Sequence, residues 1–164
     1  MKQEYQRKID DCTVELAGIK SWIDSHQMDT NVRYLVSYAV VKTSGTIELV
    51  FKQMLYDFLA VNAISETQHY LSTMIIDSSC NPNTGNISRF VSQADGHRST
   101  AFDVAVSGVP QHKSNLNSLV SLRNDLAHGR TNSPSINTVK TYFESGVEII
   151  KILDRILTPP NGTT

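Results

Sequence analysis

Arg123, Asn124 and His128 stand close together in the sequence and combine three complementary kinds of side chain. Arginine keeps its positive charge at any pH that a protein meets, and its planar fork of donors suits phosphate oxygens. An imidazole can take up or release a proton near neutral pH, which suits it to general acid–base chemistry. Asn124 and His128 are four residues apart and therefore adjacent on a helix. Such a group can bind an anion and move a proton beside it.

The sequence around these residues predicts a helix over residues 111–127, which Gly129 ends in the left-handed conformation. On a helical wheel, Arg123 falls inside the arc that the apolar side chains of this helix form. The arc consists of Leu116, Leu119, Val120, Leu122, Leu126 and Ala127. A guanidinium turned toward a core cannot lose its proton, so it needs a partner. Three partners remain open: an internal carboxylate (Glu48 or Asp57), a second subunit, or a phosphate.

His128 also has a simple structural interpretation, in which its ring caps the helix by bonding the last carbonyl groups. The spacing of Arg123 and His128 does not decide against this. An arginine five residues before a histidine arises by chance in roughly one chain in five of this composition. The other histidines show no metal-ligand spacing, and the sequence predicts no metal site.

The composition narrows the class of protein. The chain has 164 residues, 40% of them hydrophobic and 19% charged, which is typical of a globular domain. Its net charge of −1 excludes a polybasic coat for nucleic acid. The charged start lacks an apolar leader, and no apolar run is long enough for a membrane span, so we expect a cytoplasmic protein. Cys12 and Cys80 are expected to be reduced thiols.

The elements that must position Arg123 and His128 are helices, because apolar residues recur at three- and four-residue steps along most of the chain. The pattern predicts an all-α fold, an up-and-down bundle of four main helices with short additional helices. One domain is expected over residues 1–158, with a flexible tail over 159–164. The main helices are predicted at about 3–26, 30–63, 111–127 and from Pro134 onward, with shorter ones at about 65–77, 87–94 and 99–106.

Three local features of the helices are also predicted. Asp29 or Thr30 should cap the second helix, and Gly45 should be a bend or a close-packing point within it. Ser65 followed by Gln68 is a capping-box pattern at the start of the next helix.

The string Leu119-Val-Ser-Leu-Arg-Asn-Asp-Leu-Ala-His-Gly129, on the penultimate long helix, resembles the signature of the HEPN superfamily, RiboL-PSP type. In that family an Arg, usually followed by Asn, Asp or His, precedes a His by a few residues. Arg123, Asn124 and His128 match this motif. The stretch from Ser44 to Phe51 resembles the family's second helix. The resemblance implies a metal-independent endoribonuclease that needs no cofactor, often a toxin or an antiviral, abortive-infection effector.

The same resemblance assigns roles to individual residues. The 2′-hydroxyl of RNA would be the nucleophile, with His128 as acid or base and Arg123 stabilising the phosphate. Asn124 would orient His128 or bond a phosphate oxygen. The products would be a 2′,3′-cyclic phosphate and a 5′-hydroxyl. Arg130 and Lys113 are further candidates for RNA contact.

Family members typically form homodimers in which two motifs face each other across a cleft, so a composite active site is implied. Leu119 and Leu126 would then belong to the interface or the structural frame of the site. Glu48 is expected to partner a buried cation rather than take part in chemistry.

Two other functions remain open. A catalytically silent HEPN scaffold would bind a nucleotide or a partner protein, and a helical adaptor would use the apolar arc within a larger defence complex. An antitoxin of the nucleotidyltransferase type is a partner suggested by family analogy alone.

Overall fold

The computed structural model describes residues 1–130 and 134–158, and every regular element in those residues is helical. In chain order the helices are α1 (Gln3–Ser25), α2 (Val32–Leu59), α3 (Ser65–Leu71), α4 (Thr84–Ala94), α5 (Gly96–Ser107), α6 (Pro110–Ala127) and α7 (Ile136–Leu157). A π-helical turn (Ser72–Ile76) continues α3. The predicted all-α bundle of four long and several short helices is confirmed. The predicted tail lies outside the described residues.

Helix α2 occupies the centre of the bundle, in contact with α1, α6 and α7. It takes this position because its buried residues, among them Val40, Ile47 and Phe51, form a wide apolar face of the helix. Helix α7 contributes Phe143 to the same core, and α5 contributes Phe102. Full burial of one such side chain contributes about 1.5–3 kcal/mol. The packing of α7 against both α2 and α6 holds the helix that carries Arg123.

Two predicted helix starts are wrong. Helix α2 has no side-chain cap, and the Asp29 carboxylate instead accepts the N–H of Asn31 in the preceding turn at 2.7 Å. Helix α3 has no capping box, because Ser65 is already its first helical residue. The Ser65 hydroxyl donates to the Glu66 carboxylate, and the Gln68 side chain donates to the carbonyl of Ala63, which precedes the helix.

The close-packing glycine is Gly146 on α7 rather than Gly45 on α2. A Cβ at Gly146 would lie 3.0 Å from Ile47 Cδ1 and 3.3 Å from Leu116 Cδ1. Gly45 is exposed, and a Cβ there would meet nothing within 4 Å. The prediction of close packing at Gly45 is therefore wrong. Gly146 allows α7 to approach the two helices beside it.

We expect opposite effects from alanine at these two glycines. Gly45→Ala should raise the free energy of unfolding by about 0.5–1 kcal/mol, because alanine loses less backbone freedom in a helix. Gly146→Ala should lower it by about 1 kcal/mol, since the added methyl group overfills the contact with fully buried Ile47. Urea unfolding of both variants measures the difference. A gain of stability at both positions would contradict the packing described for α7.

Cys12 and Cys80 are both free and buried. Burial raises the pKa of Cys12 and of Cys80, so both remain protonated near neutral pH. Within residues 1–130 and 134–158, no helix is both long enough and apolar enough to cross a membrane.

Candidate active site

The C-terminal end of α6 fixes the position of His128, which is its C-cap residue. Gly129 follows with φ +73, the left-handed conformation predicted for it. Its N–H donates to the Leu126 carbonyl at 3.1 Å, and the N–H of Arg130 donates to the Asp125 carbonyl at 2.9 Å. These two bonds form a Schellman motif, which satisfies the last carbonyls of the helix. Glycine is needed here because other residues rarely adopt this backbone conformation.

The His128 side chain is exposed, and its ring has no hydrogen-bond partner in the part of the chain that the structure describes. The structural interpretation, in which the ring bonds the last carbonyls, is therefore wrong, since the backbone of Gly129 and Arg130 serves them instead. The imidazole is left accessible to a ligand or to another molecule.

Arg123 is half-buried and is held by two neutral carboxamides. Its Nη1 donates to Asn81 Oδ1 at 3.1 Å and to Asn124 Oδ1 at 3.3 Å. Its Nε and Nη2 have no acceptor among residues 1–130 and 134–158, and no carboxylate in those ranges pairs with it. No carboxylate of the described chain therefore balances the charge of the guanidinium, and several of its donors are unused.

Glu48, one of the two acids considered for Arg123, pairs with another cation. Its carboxylate lies 2.7 Å from Lys52 Nζ, one turn further along α2, and the Lys52 side chain is only 8% exposed. Glu48 also accepts the backbone N–H of Cys80 at 3.1 Å, and Lys52 donates to the Ser78 carbonyl. This buried pair ties the segment before Asn81 to the central helix.

Asp57, the other acid, is fully engaged at the far end of α2. It accepts hydrogen bonds from Lys2 at 2.6 Å, Tyr5 at 2.5 Å and Gln53 at 2.8 Å. Burial acts to raise the pKa of Asp57, but these three hydrogen bonds outweigh it and hold the pKa below its usual value. The internal ion pair suggested for Arg123, with either Glu48 or Asp57, is therefore wrong.

Asparagine side chains also hold the segment between the π-helical turn and α4, through hydrogen bonds to α4 and α6. Asn86 Nδ2 donates to the Asn81 carbonyl at 2.9 Å, and the Asn83 side chain caps α4 by accepting the N–H of Asn86 at 2.8 Å. Asn117, on α6, accepts the N–H of Thr84 at 3.0 Å. The backbone of Asn81 is thereby fixed next to α6.

The apolar arc of α6 is covered mainly by the chain itself. Leu116, Leu119 and Val120 are buried in the core, and Leu122 and Leu126 pack against it while remaining partly accessible. Of the two places expected for Leu119, its burial fits the structural frame of the site and not a dimer interface, because its side chain is 0% exposed. Leu126 remains available at the edge of the core.

Neither of the two candidates for RNA contact shares a hydrogen-bond partner with Arg123 among the described residues. Arg130 is exposed, and its Nη1 lies 3.2 Å from Asp125 Oδ1, so its charge is partly balanced. Lys113 is exposed near the start of α6, ten residues and roughly 15 Å along the helix from Arg123. The structure thus brings Arg123 and Asn124 into contact and places His128 one helical turn beyond Asn124. It does not bring Lys113 to these residues.

Asn81 contacts Arg123 at this site but is not among the residues predicted from the sequence. It lies in the Cys80–Asn86 segment, which carries turn-forming residues and no chemical motif. It stands 42 positions before Arg123, and the contact depends on how α4 packs against α6. The Asn-rich composition of that segment is the one signal that points to side-chain hydrogen bonding there.

Among the described residues, no group of three or more His, Cys, Asp or Glu side chains could hold a metal ion. Cys80, close to Asn81, has its pKa raised by burial and then by the charge of Glu48, so it remains a thiol. The chemical groups gathered here are a guanidinium, neutral carboxamides and an imidazole.

The sequence profile of the RiboL-PSP-HEPN family matches residues 8–159, which include Arg123, Asn124 and His128. A search of curated proteins and a search of solved structures gave no match. The profile covers most of the chain, including α2, α6, α7 and the greater part of α1. The chain therefore belongs to the RiboL-PSP-HEPN family.

Proposed function

We propose that this protein is a metal-independent endoribonuclease in which Arg123 stabilises the phosphate and His128 transfers protons. We further propose that it acts as a toxin or an antiviral, abortive-infection effector. The cytoplasm is its proposed location, since the RNA is found there and the reducing conditions keep Cys12 and Cys80 as thiols.

The observation that carries the proposal is the unbalanced charge of Arg123. Other shielded cations in the described chain have carboxylate partners, as Lys52 has Glu48 at 2.7 Å and Arg98 has Asp95 at 3.2 Å. Arg123 has two amide oxygens instead. A half-buried cation bonded to neutral groups is well suited to an anionic ligand with several oxygens, such as a phosphodiester.

The chemistry requires two proton transfers. The 2′-oxygen of RNA attacks the adjacent phosphorus, the bond to the 5′-oxygen breaks, and a 2′,3′-cyclic phosphate forms. One imidazole takes the 2′-hydroxyl proton, and a second gives a proton to the leaving 5′-oxygen. The Arg123 fork bonds the nonbridging oxygens, where negative charge builds up in the transition state. Asn124 stands beside Arg123 and supplies a further hydrogen bond.

A homodimer would supply the second imidazole, because each chain has one histidine in the motif. The exposed His128 ring and the partly accessible Leu126 lie at the same end of α6, which supports an assembly through that end. Restraint by an antitoxin of the nucleotidyltransferase type, or membership of a larger defence complex, is proposed from family analogy alone.

The test is incubation of the purified protein with total RNA in the presence of EDTA. Wild type should release fragments with 2′,3′-cyclic phosphate and 5′-hydroxyl ends. Arg123→Ala should lower the cleavage rate about 100- to 1,000-fold, the effect typical of losing one transition-state donor. Arg155→Ala, an exposed arginine at the end of α7, serves as the control and should cleave normally. Absence of cleavage by the wild type would favour the silent scaffold or adaptor.

A further inference from the structure

The two carboxamides that contact Arg123 are oriented by the chemistry of the guanidinium. A guanidinium has donors and no acceptor, so any amide bonded to it must turn its oxygen toward it. Asn81 and Asn124 both do so, at 3.1 and 3.3 Å from Nη1. The NH₂ groups of both side chains must therefore point away from Nη1.

These NH₂ groups have no acceptor within residues 1–130 and 134–158, and both asparagines are only half-buried. Together with the unused Nε and Nη2 of Arg123, they give the surface around Arg123 four groups with unused hydrogen-bond donors. Such a surface matches a group that offers acceptors and negative charge on several oxygens. The phosphate of the RNA backbone is a group of this kind.

We infer that Asn81 is an RNA-binding residue of this site, donating through Nδ2 to the phosphate group that Arg123 binds. The inference rests on the proposed function, since it names a further residue that contacts the same substrate. It adds a contact from outside the Arg123–His128 motif, contributed by the segment that precedes α4.

The backbone of Asn81 is fixed before any ligand arrives. Asn86 Nδ2 donates to its carbonyl at 2.9 Å, and the N–H of the preceding Cys80 is bonded to Glu48 at 3.1 Å. A donor held in place in this way loses little conformational freedom on binding. The fixed backbone therefore favours a binding role over a passive contact.

The competing explanation is that Asn81 only positions Arg123. A double-mutant comparison separates the two, with a 2′-O-methyl oligoribonucleotide as a probe that cannot be cleaved. Asn81→Ala should weaken probe binding about tenfold, as expected for the loss of a hydrogen bond to a charged group. It should still weaken binding several-fold when Arg123 is already alanine. No further weakening in that background would overturn the inference.

Salt dependence gives a second readout. Asn81 is neutral, so Asn81→Ala should leave the slope of log Kd against log salt unchanged, whereas Arg123→Ala should reduce it by about one. Asn81→Asp keeps the oxygen that faces Arg123 but replaces the NH₂ group with a negative oxygen. It should therefore fold as stably as the wild type and bind the probe more weakly than Asn81→Ala. Binding by Asn81→Asp as tight as that of the wild type would overturn the inference.

Asn83→Ala is the matched control, because it loosens the same segment by removing the α4 cap without touching Arg123. Its probe affinity should stay within about twofold of the wild type, with thermal melting recorded for every variant. An equal loss of affinity in Asn83→Ala and Asn81→Ala would contradict a direct contact.

Probe binding that depends on Asn81 in a protein that cleaves no RNA would refute the nuclease proposal and support this inference. If the protein cleaves RNA and Asn81→Ala changes neither cleavage nor probe binding, the nuclease proposal would stand and this inference would be refuted.

Discussion

His128→Ala should lower the rate of RNA cleavage by about 100- to 10,000-fold, because a positioned acid or base contributes this much to proton transfer. The exposed ring of His128 makes no hydrogen bond within the described chain, so its removal should leave stability nearly unchanged. Cleavage rates at saturating RNA and the melting temperature, measured together, check both parts. His97→Ala, another exposed histidine, is the control and should cleave at the wild-type rate.

A mixing experiment with the same variant tests the composite site. If each site needs His128 from both copies, an equal mixture of wild type and His128→Ala, exchanged to equilibrium, should retain about one quarter of the activity, since two-fold pairing is random. If each chain acts alone, it should retain about one half. Two results would count against the dimeric mechanism: a His128→Ala variant as active as the wild type, or a cleavage activity that rises linearly with the fraction of wild type in the mixture.

Glu48→Ala should lower the free energy of unfolding by about 3–5 kcal/mol, the effect of removing one partner of a buried ion pair. The loss is large because the Lys52 ammonium, 8% exposed, would keep only the Ser78 carbonyl as its partner. The N–H of Cys80 would lose its acceptor as well. Urea unfolding measures the effect, with m-values compared to verify that the transition remains two-state.

Glu144→Ala provides the matched control on α7. Its carboxylate lies 3.8 Å from Lys140 Nζ, and both side chains are at least half exposed, so the loss should stay below about 1 kcal/mol. Replacing Glu48 and Lys52 together with Leu and Met should recover much of the stability lost in Glu48→Ala. A loss in Glu48→Ala no larger than in Glu144→Ala would show that the pair contributes little.

Helix positions and the motif itself could be predicted from the sequence because both depend on local information. The 3.6-residue period of apolar side chains indicates helices, and the wide apolar face of α2 indicates its central place. The left-handed conformation of Gly129 follows from its position directly after the C-cap residue of a helix. Arg123, Asn124 and His128 are recognisable since they lie together in the chain.

Features that depend on which helices meet could not be predicted in the same way. Gly45 and Gly146 both lie within long helices, and only the approach of α7 to Ile47 distinguishes them. The resemblance left open whether Leu119 belongs to a dimer interface or to the structural frame, and only the packing shows that the chain's own core covers it. Asn81 reaches Arg123 across 42 residues of sequence, a contact that no periodicity encodes.

The unbalanced Arg123 guanidinium also links assembly to substrate. In the proposed two-fold dimer, each copy would bring the same positive charge to the shared cleft, and like charges oppose each other at close range. A bound phosphate would remove that repulsion, so RNA would strengthen the association of the subunits. By the reciprocity of linked equilibria, subunit association would strengthen RNA binding to the same extent. At low concentration the protein would then be a weak ribonuclease that its own substrate helps to assemble.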